Sequence, residues 1–223
     1  MAIFANMKRI ILITGGERSG KSVYAEQLAL RLSEQPVYMA TARIWDEEFR
    51  QRVRIHRERR GAQWTNIEEE KYLSRHDLTG RTVLVDCVTL WTTNFFFDYT
   101  PQPGSPVPNP SDTVESRQAQ AGIRQVEETL QTVKEEFLRF TSQEATFIFV
   151  TNEIGMGGVS TNEVQRRFTD LLGWTNQFVA SQADEVYLMV SGIPVKINAV
   201  LQRGVNDMEC IALAELAKVS PID

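Results

Sequence analysis

A chain of 223 residues, 42% of them apolar, is long enough to enclose a full core as one domain. Its formal charge of −5, from 24 Lys and Arg against 29 Asp and Glu, offers no basic footprint for nucleic acid. Two distant cysteines, Cys87 and Cys210, exclude a disulfide framework, and no apolar stretch approaches the roughly 20 residues of a membrane span. The opening Met1–Asn6 is too short for a signal peptide. The expectation is a soluble cytoplasmic protein, residues 1–223 forming one domain, with neither nucleic acid nor membrane as a partner.

The first apolar run, 8–14 around Ile10-Ile11-Leu12-Ile13, predicts a strand. Gly15-Gly16-Glu17-Arg18-Ser19-Gly20-Lys21-Ser22 follows at once and completes the G-x-x-x-x-G-K-[ST] pattern. The helix-like Tyr24-Ala25-Glu26-Gln27-Leu28 comes next, so the pattern has its strand–loop–helix setting. Successive backbone N–H groups in such a loop form an anion nest at a helix N-terminus. Lys21 then reaches the β- and γ-phosphates of a nucleoside triphosphate, and the Ser22 hydroxyl takes Mg²⁺. The bland alternative is a glycine-rich turn between strand and helix.

Pro-Val-Tyr-Met-Ala at 36–40 predicts the second strand. After Ala40-Thr41-Ala42 the chain becomes crowded with charge, and Glu48, Arg50, Arg52, Arg54, Arg57, Glu58, Arg59 and Arg60 surround His56. Such a run is ordinarily a solvated helix face. On a helix, His56 shares a stripe with Phe49 and Val53. Neighbouring cations keep its ring neutral, and so nucleophilic, near pH 7. The same arginines suit a polyphosphate. Spacing alone favours a packed structural histidine over a nucleophile. His76, beside Asp77, reads as a surface residue.

Thr82–Cys87 predicts a third strand ending in Asp86, a carboxylate at the sheet edge that also carries the phosphate loop. Cys87 within it reads as a buried, inert thiol. No Asn-Lys-x-Asp element is present, so base preference has no local signature. Residues 98–112 carry five prolines and predict a solvated surface loop. In 113–140, Ile123, Val126, Leu130, Val133 and Phe137 recur at helical spacing. A strand at 145–151 follows. A helix from about 161 opens on a capping box of Ser160 and Glu163, with Val164, Phe168, Leu171, Thr175 and Phe178 facing inward. A strand at 185–190 turns through Ser191-Gly192-Ile193-Pro194 into a hairpin strand, Val195-Lys196-Ile197.

The strands are apolar nearly throughout, as strands covered on both faces must be. Alternating β and α elements predict an α/β fold, a mainly parallel doubly wound sheet of the P-loop (RecA-like) class with a C-terminal antiparallel hairpin strand. Its ligand crevice lies at the carboxyl ends of the strands.

Several separated segments together carry a family likeness. They are Ile13–Ser22, Tyr38-Met39-Ala40-Thr41, Arg52-Val53-x-x-His56-Arg57-x-x-Arg60, Trp64-Thr65-x-x-Glu68, Asp86-Cys87-x-Thr89 with Asn94, Val150–Gly157, Ala183-Asp184-Glu185-Val186 and Val190–Lys196. Over about 8–198 the chain resembles the bifunctional adenosylcobinamide kinase / adenosylcobinamide-phosphate guanylyltransferase family of cobalamin biosynthesis. The resemblance implies phosphorylation of adenosylcobinamide by ATP or GTP. Transfer of GMP from GTP to the adenosylcobinamide phosphate then follows through a guanylyl-histidine at His56, with release of pyrophosphate. It further implies nucleotide contacts from Gly15 to Ser22, Ala40, Thr41, Ala42, Arg57, Glu58, Arg59, Arg60, Glu68 and Asp86, with Ser22 and Asp86 on Mg²⁺. A homotrimer is implied too. The proline-rich insertion at 98–112 and the extension at 199–223 exceed the family core, and Asp86 stands where some members carry Glu. The alternatives are a small-molecule P-loop kinase with a merely structural His56 and, among non-enzymes, a nucleotide-switched assembly module.

Overall fold

The computed structural model describes residues 8–44, 47, 51, 54, 61–101 and 113–197. Along the chain run β1 (Arg9–Gly15), α1 (Lys21–Leu32), β2 (Val37–Ala40), β3 (Thr65–Glu68), β4 (Thr82–Asp86), α2 (Val88–Phe97), α3 (Val114–Phe140), β5 (Thr146–Val150), α4 (Glu163–Gln182), β6 (Glu185–Val190) and β7 (Ile193–Lys196). The strands form one sheet in the order β3-β2-β4-β5-β1-β6-β7. Every pairing is parallel except β6 with β7.

Side-chain alternation along the apolar strands creates the layers. Ile10 and Leu12 of β1, Val83 and Val85 of β4, and Phe147 and Phe149 of β5 enter one core with Val133, Phe137 and Phe140 of α3 and Val179 of α4. Ile11 and Ile13, Leu84, and Ile148 and Val150 enter a second core with Ala25 and Ala29 of α1. Two alanines on the inner face let α1 approach the sheet closely. Across the sheet, aromatic rings fill the gap: Phe140 and Phe147 lie 4.8 Å apart between centroids, and Phe137 and Phe149 lie 5.0 Å apart. Each of these fully buried rings contributes about 1.5–3 kcal/mol by leaving water.

The strand order explains where a ligand can sit. The chain leaves β1 to one side, toward β4 and β2, and returns past β1 to β6. The crevice at such a reversal lies beyond the carboxyl ends of β1, β5 and β4.

Some expectations fail locally. A short strand, β3, pairs with β2 at the sheet edge, where its mostly exposed Thr-Asn-Ile-Glu sequence carries no apolar signal. α2 is apolar and buried on most sides, so no stripe marks it as a helix. The cap of α4 is Asn162, whose side chain accepts from the Gln165 N–H at 3.0 Å; Ser160 instead accepts from the Asn162 N–H. The supposed capping box therefore does not form. Ile123 is 59% exposed and Val164 45% exposed. The inner stripe of α3 runs through Gly122, Val126, Thr129, Val133 and Glu136, and at about 100° per residue Ile123 falls roughly a quarter-turn from its centre. Val164, in the first turn of α4, precedes the part of that helix that reaches the sheet. β7 begins at Ile193 rather than Val195, and Pro194 is tolerated because the strand lies at an edge.

His76 is half-buried, with Nε2 3.5 Å from a Glu69 carboxylate oxygen, rather than a free surface residue. Cys87 is buried, as expected, and burial first, with the Asp86 charge second, pushes its thiol up to about 12. The start of the proline-rich segment is held in place: Asp98 pairs with Arg43 and Lys71, and the Tyr99 hydroxyl donates to Glu128. Residues 102–112, the extension 199–223 with Cys210, and Met1–Asn6 lie outside the described residues.

Candidate functional site

The phosphate loop is shaped by backbone demands that only glycine meets. Gly15 ends β1 with φ 151°, and a Cβ there would stand 2.6 Å from the Met189 carbonyl oxygen. Gly20 caps α1 at φ 95°, and a Cβ would stand 3.2 Å from the Gly192 Cα. The Gly192 N–H, on the turn between β6 and β7, donates to the Ser19 carbonyl at 2.9 Å. That hairpin thus braces the loop from behind. α1 begins directly at Lys21, with no side-chain cap and no acidic residue in its first turn. Its unpaired N–H groups and positive dipole end remain available to an anion.

Lys21 is 7% exposed, and its ammonium donates to the Gly16 carbonyl and to Ser19 Oγ. Burial lowers its pKa, and the neighbouring acidic groups of Cys87, Asp86 and Glu17 offset part of that. Ser22 is half-buried one residue further on, while Gly16, Glu17 and Arg18 are exposed on the loop.

Asp86 ends β4 on the same side of the sheet. The Tyr38 hydroxyl donates to its Oδ2 at 2.8 Å, and Trp64 packs edge-on against Tyr38. Residues Arg18 to Val23, Asp86, Cys87, Val150 and Asn152 line one cleft of about 340 Å³. The structure therefore brings Arg18, Ser19, Gly20, Lys21, Ser22 and Asp86 together around one cleft.

Other expected residues lie to one side. Ala40 pairs in register with Asp86 and with Glu68, which puts all three at the carboxyl ends of adjacent strands but leaves Ala40 and Glu68 outside the cleft lining. Thr41 is fully buried, and its hydroxyl exchanges hydrogen bonds with the Cys87 backbone at 2.8 Å in each direction. Asn94 donates to the Thr41 and Glu70 carbonyls, so this turn is held from beneath. Ala42 is half-buried beside it. His56, Arg57, Glu58, Arg59 and Arg60 lie outside the described residues.

Sequence reasoning assigned no role to the end of β5, yet the structure puts it between the loop and Asp86. Asn152 lines the cleft, and its N–H donates to Thr89 Oγ1 at 2.9 Å. The Glu153 N–H donates to the Gly15 carbonyl, and its carboxylate accepts from Thr14 Oγ1 at 2.8 Å and from Asn176 Nδ2 at 3.3 Å. Asn176 also accepts from Thr151 Oγ1 and donates to the Asn152 carbonyl. The available signal was a polar pair, Asn152-Glu153, directly after an apolar strand.

The chain matches the family described as cobinamide kinase / cobinamide phosphate guanyltransferase (CobU) over residues 11–197. It is 38% identical over 193 residues to the bifunctional adenosylcobalamin biosynthesis protein CobU of Escherichia coli, covering 84% of this chain and 99% of that one. This chain belongs to the CobU family. The bifunctional adenosylcobalamin biosynthesis protein CobP of Pseudomonas aeruginosa is 34% identical over 191 residues, covering 83% of this chain and 95% of its own length. Among solved structures, the flagellar accessory protein FlaH from Methanocaldococcus jannaschii is 13% identical, covers 84% of this chain and 75% of that one, and superposes with a TM-score of 0.38, too distant to inform the site. The stretch matched to the CobU family encloses Gly15–Ser22, His56, Glu68, Asp86 and the Asn152–Glu153 pair.

Proposed function

We propose that the protein is a bifunctional adenosylcobinamide kinase and adenosylcobinamide-phosphate guanylyltransferase. The match to the cobinamide kinase / cobinamide phosphate guanyltransferase family over residues 11–197 carries this reading, and Lys21, Ser22 and Asp86 converge on one cleft as it requires. In the kinase step, the acceptor hydroxyl oxygen bonds to the γ-phosphorus of ATP or GTP, the bond from that phosphorus to the β–γ bridging oxygen breaks, and the hydroxyl proton leaves to water. In the transferase step, a neutral His56 nitrogen bonds to the α-phosphorus of GTP and pyrophosphate departs. The phosphate oxygen of the acceptor then displaces the imidazole, giving adenosylcobinamide-GDP. Lys21 and the loop N–H groups hold the charge that grows on the β- and γ-phosphate oxygens in both steps.

The Ser22 hydroxyl and the Asp86 carboxylate, two oxygen donors on one cleft, fit Mg²⁺, which keeps few protein ligands beside substrate phosphates. Bound there, the ion would neutralise phosphate charge. Substrate phosphates would complete its coordination. The assignment of Arg57 to Arg60, Glu68 and Ala40 to Ala42 to the nucleotide rests on the family likeness. The homotrimer rests on the same likeness. The cytoplasmic location rests on sequence composition, and no described helix is long and apolar enough to cross a membrane.

Incubation with α-labelled GTP tests the decisive step. The expected product is an acid-labile, alkali-stable label on the protein that His56→Ala abolishes while kinase turnover persists. Full guanylyl transfer by His56→Ala would defeat the role given to His56, and no label on the wild-type protein would leave a kinase with a structural histidine.

A further inference from the structure

Beyond the phosphate cleft, a second hollow of about 650 Å³ opens between the loop after β5 and one face of α4. Its size falls within the range of small-molecule sites. Gly155 and Gly158 form one wall; Asp170, Gly173, Trp174 and Gln177, spaced to share one helix face, form the other. Arg166, in the first turn of α4, donates to the Ser160 and Thr161 carbonyls at 3.0 and 2.8 Å, which fixes how the loop enters the helix.

Three features go unexplained by packing within the chain. Gly173 stands inside a helix, where glycine destabilises relative to alanine, yet a Cβ there would meet nothing within 4 Å. Trp174 beside it is 46% exposed, and Met156 and Val159 on the facing loop are 77% and 89% exposed. The hollow also begins close to the chemistry: Asn152 lines the phosphate cleft and Gly155 lines the hollow, three residue steps and at most about 11 Å of chain away.

Accepting the function proposed above, we propose that this hollow seats the corrin macrocycle of the acceptor, an apolar plate fringed with carboxamides, while its hydroxyl-bearing arm crosses to the phosphate cleft. Trp174 and the open face at Gly173 meet the plate. Asp170 and Gln177 take the carboxamides, which both donate and accept. A body of this size needs walls from two elements, and the short span to Asn152 matches the reach of the arm.

Calorimetric titration with cobinamide and steady-state kinetics on the full chain test this. Trp174→Ala should raise the cobinamide Kd and KM roughly tenfold and leave the nucleotide KM within about twofold, as loss of one aromatic wall predicts. Gly173→Ala should raise Tm through helix propensity and still weaken cobinamide binding, a pairing that a purely structural role would not produce. Unchanged cobinamide affinity in both variants overturns the seat. So does loss of self-association in sedimentation with cobinamide affinity intact, which would assign the surface to a second copy. Wild-type protein that binds no cobinamide defeats the functional reading, and the seat with it.

Discussion

The phosphate cradle and the hollow beside α4 share one edge of the sheet, yet they are built by opposite means. The cradle comes from eight contiguous residues whose glycines answer to backbone angles and to the close approach of Met189 and Gly192. The hollow comes from two elements, the Gly155–Gly158 loop and one face of α4. The difference reflects what each must hold. An anion is gripped by neighbouring N–H groups, which a single turn of chain supplies. A large plate-like body needs surface, and surface must be assembled from distant segments.

Breaking the cradle should have the largest effect. Lys21→Ala removes the buried cation among the described residues of the cleft, and loss of a single preorganised donor predicts a fall of about 10²–10³ in kcat/KM for phosphorylation. A coupled corrinoid assay measures it, and retained full activity would contradict the role of the lysine. The polar joint between the two regions comes next. Asn176 is 6% exposed and links Thr151, Asn152 and Glu153, so Asn176→Ala strands buried partners and should cost about 1–3 kcal/mol in urea unfolding. If stability is unchanged, this network does not couple α4 to the cleft.

The smallest effect lies behind the cradle, where Glu185 of β6 accepts from Lys196 of β7, Tyr187 and Arg9 of β1. Burial opposes its ionisation, but these hydrogen bonds outweigh it and hold the carboxyl at about 2, below the ordinary 4.5. The folded protein therefore binds fewer protons here than the unfolded chain. Its contribution is complete above pH 4.5 and disappears as pH falls toward 2. Glu185→Gln should lower stability at pH 7 by about 1 kcal/mol or less and flatten the acid slope between pH 4.5 and 2 in thermal melts. An unaltered slope would mean that the hairpin brace draws nothing from this carboxylate.

How much was legible in advance follows the same division. Ile10–Ile13, Thr82–Asp86 and Phe147–Val150 are strands because their runs are apolar on both faces, and that pattern is visible residue by residue. β3 was not legible, since Thr65–Glu68 gains its strand form from the β2 edge alone. α2 was not legible either, because burial on most sides erases helical periodicity. At the site, Lys21, Ser22 and Asp86 stood out through a local pattern and a strand end. Asn152 and Glu153 fell within the family-likeness segment Val150–Gly157, but their place between the loop and Asp86 comes from the insertion of β5 between β1 and β4.

The amino-acid order alone determined the phosphate loop, the layered α/β class and the family likeness, since each rests on residues read in order along the chain. Only the tertiary structure decided that Thr41 is spent on the Cys87 backbone, that Gly192 braces Ser19 and that Gly173 opens a hollow near the cleft. Those outcomes depend on which strands become neighbours, and burial and hydrogen-bond satisfaction settle that across the whole sheet at once.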